Sequence, residues 1–207
     1  MGTTMTQPKG LRAAARHRGF TLIECAISMA VLTIGSVSLL GVFGLAVQAS
    51  QTSQENMLAR QLASEAMESI YTARNESEIS WAQIQNVSNG GIFTDGLVNV
   101  MCAGPDGIIG TADDTSCLTA SGAVCPNGGI ECLTDPGPDG ILGTADDVIL
   151  SLSNYQRQIL ITPLYTTGSN PTLIQTLEQV SVTISYTVPQ TTVPKTYTLT
   201  EYVSEYH

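Results

Sequence analysis

Positive charge is scarce in this chain and unevenly placed. Of 207 residues only eight are Lys or Arg, against eighteen Asp or Glu. Four of the eight, Lys9, Arg12, Arg16 and Arg18, fall within the first nineteen positions, and no acidic residue precedes Glu24. Beyond residue 19 the chain therefore sets four basic residues against eighteen acidic ones, a formal charge of −14. That balance excludes nucleic acid as a partner, because phosphates demand Lys and Arg; it suits divalent cations. Histidine is nearly missing as well. His17 and His207 stand close to the two ends, which leaves histidine-based acid–base or triad chemistry little to work with. No phosphate-cradling or dinucleotide glycine pattern occurs, so an enzyme is not expected. Proline is absent from the apolar run that follows residue 19, and nothing there breaks a helix.

That run, Phe20 to Ala49, starts directly after Gly19 and carries Glu24 at its fifth position. As a helix it measures roughly 45 Å at 1.5 Å per residue, ample for a hydrocarbon layer of about 30 Å. A carboxylate near the start of such a span costs roughly 2.5 to 3.5 kcal/mol on insertion scales, so Glu24 calls for a partner. A cut after Gly19 supplies one, since the amine freed on Phe20 can meet Glu24 of a neighbouring copy. An ordinary secretory signal ending at Val47-Gln48-Ala49 is the bland alternative. Against it, the run is too long for a signal core and contains a carboxylate.

A basic leader, then Gly19-Phe20-Thr21-Leu22-Ile23-Glu24, then a hydrophobic span resembles the processing site of type IV pilins and type II secretion pseudopilins. The resemblance implies a prepilin peptidase that cuts between Gly19 and Phe20 and methylates the Phe20 amine. It implies a precursor in the bacterial inner membrane with its amino terminus cytoplasmic and its head exported, as the basic leader also requires. Polymerisation with other pilin or pseudopilin subunits on an inner-membrane assembly platform would follow, giving a periplasmic or extracellular filament. The implied fold is α+β, a long amino-terminal helix packed on a small antiparallel β-sheet head. Ile34-Gly35 and the stretch from Ala59 to Tyr71 look most like minor pilins. Where many major pilins carry a mid-span proline, this chain has Gly41 and then Gly44. With Gly35 these permit either close helix approach or local loosening.

The chain divides into a leader (1–19), a transmembrane and assembly helix (20–49), an amphipathic continuation (50–74), a connecting segment (75–101), a Cys-rich loop insertion (102–147) and an antiparallel meander (148–207). In the continuation Leu58, Leu62, Ala66 and Ile70 recur every fourth position beside Ala59, Ala63 and Met67, while Gln54, Arg60, Gln61, Glu65 and Glu68 mark a wetter face. Trp81 is expected to pack a loop onto the head, with an adhesive contact as the rival role. Strands are predicted over Ile149–Leu152, Tyr155–Leu164 and Thr196–Val203. Another runs through Val180, Val182, Ile184, Tyr186 and Val188, which alternate with Ser and Thr.

Cys25 lies in the span and reads as a small apolar residue. Cys102, Cys117, Cys125 and Cys132 fall on the exported side, where disulfides persist. Of three possible pairings, proximity favours Cys102 with Cys117 and Cys125 with Cys132. Zinc is the rival use, but there is no C-x-x-C pair and no histidine nearby.

The second strong signal is a repeat. Gly104-Pro-Asp-Gly-Ile-Ile-Gly-Thr-Ala-Asp-Asp114 recurs as Gly137-Pro-Asp-Gly-Ile-Leu-Gly-Thr-Ala-Asp-Asp147, identical at ten of eleven positions. The spacing resembles the calcium loops of dockerins and thrombospondin repeats. On an EF-type count the second copy offers Asp135, Asp139 and Asp146 as side-chain ligands and the Ile141 carbonyl, with Asp147 joining or supporting them. In the first copy Asp106, Ile108, Asp113 and Asp114 take the matching roles, but Cys102 replaces the opening Asp. Another oxygen such as Asn99 substitutes, the copies share ligands, or the first site is weak. Plain turn chemistry explains single Asp-Gly pairs. It does not explain so many repeated carboxylates with almost no basic neighbour, a penalty that a divalent ion reverses. The expected cofactor is calcium, with a modest affinity of roughly 0.1 to 1 mM for Asp-terminated extracellular loops.

The function expected from these features is structural: a pilus or pseudopilus subunit whose head calcium stabilises. The alternatives are a low-copy minor pilin acting as an adhesive or substrate-binding tip, and a membrane-anchored calcium-binding protein outside any filament.

Overall fold

The computed structural model describes residues 21–188 and 193–206. Gly19, Phe20, the basic leader and His207 lie outside them. Helix α1, Leu22–Asn75, runs for 54 residues and joins the predicted span and its amphipathic continuation in one element. Gly35, Gly41 and Gly44 all sit within it, and a Cβ on any of them would meet nothing within 4 Å. The chain forms two compact units, Met1–Ala49 and Ser50–His207.

In the first unit α1 is long and apolar enough to cross a membrane and buries none of its apolar window. Three of its hydroxyls turn back on the helix: Ser28 donates to the Glu24 carbonyl at 2.7 Å, Thr33 to Ala30 at 2.9 Å and Ser38 to Ile34 at 2.9 Å. Each of these hydroxyls is thereby satisfied internally, which a lipid setting requires.

In the second unit α1 buries Ala59, Leu62, Ala63, Ala66, Met67, Ile70 and Ala73, the stripe the period of 3.6 predicts. Four of these are alanine, so the sheet can approach closely. The strands are β1 (Val98–Asn99), β2 (Cys132–Asp135), β3 (Val148–Ser151), β4 (Tyr155–Tyr165), β5 (Leu173–Tyr186) and β6 (Lys195–Ser204). The main sheet has the order β1-β4-β5-β6, antiparallel throughout, with Ile159 opposite Val182 and Val182 opposite Leu199. Alternation sends Tyr155, Ile159 and Ile161 of β4 and Val180, Val182, Ile184 and Tyr186 of β5 into one core with the helix stripe.

One expectation changes. The strand predicted at Ile149–Leu152 exists as β3 but stands apart from the meander, paired with β2 in a two-stranded sheet. β2 lies between turns in a Gly- and Asp-rich stretch, where four residues carry too little periodicity to read. The two residues of β1 carry still less. Beyond them, Asn86 covers the edge of β4, its amide donating to the Ile159 carbonyl at 2.8 Å and accepting from Ile161 N–H at 2.8 Å. That arrangement satisfies backbone groups an edge strand leaves open. Trp81 packs as predicted, its indole donating to the Gln175 carbonyl at 2.9 Å.

Candidate functional site

Two places carry chemistry, and each is built by local sequence. At the start of α1 the Thr21 hydroxyl accepts the Glu24 N–H at 3.3 Å, so Thr21 caps the first turn. Glu24 falls in that turn, where the positive end of the helix dipole favours a carboxylate. Glu24 is exposed, as are Leu22, Ile23 and the apolar side chains that follow. A helix apolar all round with no packing partner among the described residues needs lipid or neighbouring helices.

The second place is the pair of acidic loops. In the first, Asp106 accepts the Ile108 N–H at 2.9 Å, closing an Asx turn that puts Gly107 at φ 70°. Gly104 runs so close to Asp113 that a Cβ would collide with the Asp113 carbonyl oxygen. Thr111, unremarked in the sequence, is the hub. Its hydroxyl oxygen lies 2.6 Å from Asp113 Oδ1, 3.2 Å from Asp106 Oδ2, 3.4 Å from the Ile108 carbonyl and 3.5 Å from Asp114 Oδ1. Four acceptors, three of them carboxylate oxygens, lie around one hydroxyl proton, and the shortest contact directs it to Asp113. Donation from Thr111 is the main reason the Asp113 carboxyl is held below its usual range.

The second loop repeats this. Asp139 accepts the Ile141 N–H at 2.8 Å. The Thr144 hydroxyl lies 2.6 Å from Asp146 Oδ1, 3.0 Å from the Ile141 carbonyl and 3.5 Å from Asp147 Oδ1. Thr144 holds the Asp146 carboxyl down as Thr111 does Asp113. Asp139 N–H reaches Asp146 Oδ2 at 3.4 Å. Asp135 is exposed at the end of β2, opposite Val148. Among the described residues no group of three or more His, Cys, Asp or Glu side chains is arranged as a metal site. What each loop gathers is a mixed set of carboxylate, carbonyl and hydroxyl oxygens, hard donors of the kind calcium takes.

The disulfides join Cys102 to Cys117 and Cys125 to Cys132, the pairing proximity favours, and Cys25 is free. Sequence reasoning also missed Arg157. It sits on β4 between Tyr155 and Ile159, fully buried, with Nη2 donating to the Met101 carbonyl at 3.1 Å and 3.9 Å from Asp114 Oδ2. Strand parity places Arg157 on the inward face with its neighbours, and that was the available signal. Burial pushes the Asp114 carboxyl up, opposed by the Gly110 and Thr111 N–H groups and then by Arg157.

The family described as the prokaryotic N-terminal methylation motif matches residues 14–40. The curated proteins and the solved structures yielded no match.

Proposed function

From a methylation motif that spans the leader, Glu24 and the start of α1, which supports the type IV pilin and pseudopilin family, we propose that this chain is a structural subunit of a type IV pilus or type II secretion pseudopilus. Prepilin peptidase cuts after Gly19 and methylates Phe20. The exposed apolar helix then anchors the precursor in the inner membrane and later packs against other subunits, with the Phe20 amine of one copy meeting Glu24 of the next. Calcium stabilises the head, held by the loop oxygens of Asp106, Ile108, Asp113 and Asp114 in one copy and of Asp139, Ile141, Asp146 and Asp147 in the other, with Asp135 at the end of β2 the remaining candidate ligand. The ion would supply charge neutralisation to carboxylates that otherwise crowd one threonine hydroxyl. The observation that carries the reading is the motif's position, ending inside a helix whose apolar window buries nothing within its own chain.

Co-expression of the full chain with a prepilin peptidase, followed by intact-mass measurement, tests it. The expected product lacks residues 1–19 and carries one methyl group on Phe20, and Gly19→Leu stays at precursor mass. An unprocessed wild-type chain, or a cut after Ala49, overturns the assignment.

A further inference from the structure

The surface charge of the head is divided between the two sides of α1. Apart from the buried Arg157, the head's Lys and Arg residues are Arg60, Arg74 and Lys195, and none of these is buried. All three lie on the β6 side. The Arg60 guanidinium stands 5.4 Å from the centroid of the Tyr197 ring, Arg74 Nη1 donates to the Ser204 carbonyl at 2.7 Å, and Lys195 opens β6. Exposed apolar side chains accompany them, Met57 a turn before Arg60 on the helix and Val193 just before Lys195. Glu201 also lies on this side, beside Tyr71.

The other side of α1, where the first acidic loop approaches it, carries the opposite sign. No Lys, Arg or His occurs between Arg74 and Arg157. A groove of about 360 Å³ there is lined by Ala73, Ala103 and Ile109 together with the exposed carboxylates Glu65, Glu68 and Glu78. Among the described residues neither the three cations nor these three acids make an ion pair within 4.0 Å. The two sides are thus complementary in charge and both partly apolar, yet they flank one helix and cannot meet within one head. Contact between two unlike surfaces of successive copies does not end in a dimer; it propagates as a ring or a helical filament. Complementary charge selects the partner and its register more than it adds affinity.

We infer that the β6 side of one copy, through Arg60 and Lys195, docks on the acidic groove of a second copy at Glu65, Glu68 and Glu78, so that heads join side by side through two different surfaces. This rests on the subunit reading above and names the surfaces by which its heads meet.

Carbodiimide coupling of filaments sheared from cells that express the full chain with an assembly system tests it. The reagent joins an amine to a carboxyl in direct contact, and Lys195 is the only lysine left once residues 1–19 are removed. Denaturing electrophoresis and peptide mass mapping are expected to give a dimer in which the peptide holding Lys195 is joined to one holding Glu65, Glu68 or Glu78. Lys195→Arg, which keeps the charge and removes the amine, should lose that dimer and still enter filaments, and Glu65→Gln/Glu68→Gln/Glu78→Gln should lose it too. Filaments of the wild-type chain in which Lys195 couples only to other carboxylates, or to none, overturn the inference and leave the subunit reading standing. A mature chain never recovered in filaments overturns both.

Discussion

Two loops of almost identical sequence meet opposite fates in this head. Their local geometry agrees closely: Gly107 and Gly140 at φ 70° and 68°, Gly110 and Gly143 at 87° and 89°, and Thr to Asp bonds of 2.6 Å in both. Yet Ile108 and Ile109 are 1% and 6% exposed, whereas Ile141 and Leu142 are 60% and 56% exposed. Burial therefore holds the apolar pair of one copy and leaves that of the other in solvent. A loop's own residues determine its turn; whether it joins a core depends on what the rest of the chain presents to it.

The comparison breaks most sharply at the last Asp. Asp114→Ala leaves Arg157 buried without its carboxylate and should cost about 3 to 5 kcal/mol. Asp147→Ala, in the exposed copy, should cost under about 1 kcal/mol apart from any bound ion. Denaturant unfolding of both variants in chelator reads the difference, and equal losses would mean that Arg157 does not distinguish the loops. Next come the apolar residues. Ile108→Ala should lose about 2 to 5 kcal/mol as a core truncation, and Ile141→Ala about 0.5 kcal/mol or less, by the same measurement.

Reduction of the disulfides should come between these extremes. The bridge from Cys102 to Cys117, with a sequence separation of 15, is worth about 3 kcal/mol on loop-closure arguments. Cys102→Ser/Cys117→Ser should therefore melt below Cys125→Ser/Cys132→Ser, whose separation is only 7. A control sharpens the comparison where the copies ought to agree. Both Gly107 and Gly140 have positive φ and open space where a Cβ would stand, so Gly107→Ala and Gly140→Ala should each cost about 1 to 2 kcal/mol. Unequal costs there would show that the backbones are not equivalent after all.

Near neutral pH, Glu131 and Glu178 are the groups to watch. Burial pushes the carboxyls of Glu131 and Glu178 up to about 7 from an ordinary 4.5, with the charge of Glu65 adding to the effect at Glu131. Both are raised acids, so the stability they contribute is full below about pH 4.5 and is lost as pH rises through about 7. The melting temperature of the chain in chelator should fall between about pH 5 and pH 8. Glu178→Gln, which keeps the hydrogen-bonding shape beside Gln85, should flatten that slope. A slope unchanged in the variant would assign the effect to other groups.

What was legible in the sequence was what neighbours along the chain decide. The helix stripe from Ala59 to Ile70, the alternation of β5 and the turn of each Pro-Asp-Gly all arise within a few residues, from periods of 3.6 and 2 and from proline and glycine stereochemistry, and the methylation motif matched over residues 14–40 is likewise local. Asp106, Asp113, Asp139 and Asp146 could be named on the same footing. Only the tertiary structure decided that β3 pairs with β2 and not with the meander, that Asp135 ends a strand opposite Val148, and that Arg157 faces Asp114. The partners that make the first loop part of the core, Ser69, Thr94, Arg157 and Ile159, come from α1, the connecting segment and β4. Two near-identical peptides carry the same local preferences, but only the first packs against that surface, where it buries Ile108 to Thr111 and gains Arg157 as a neighbour.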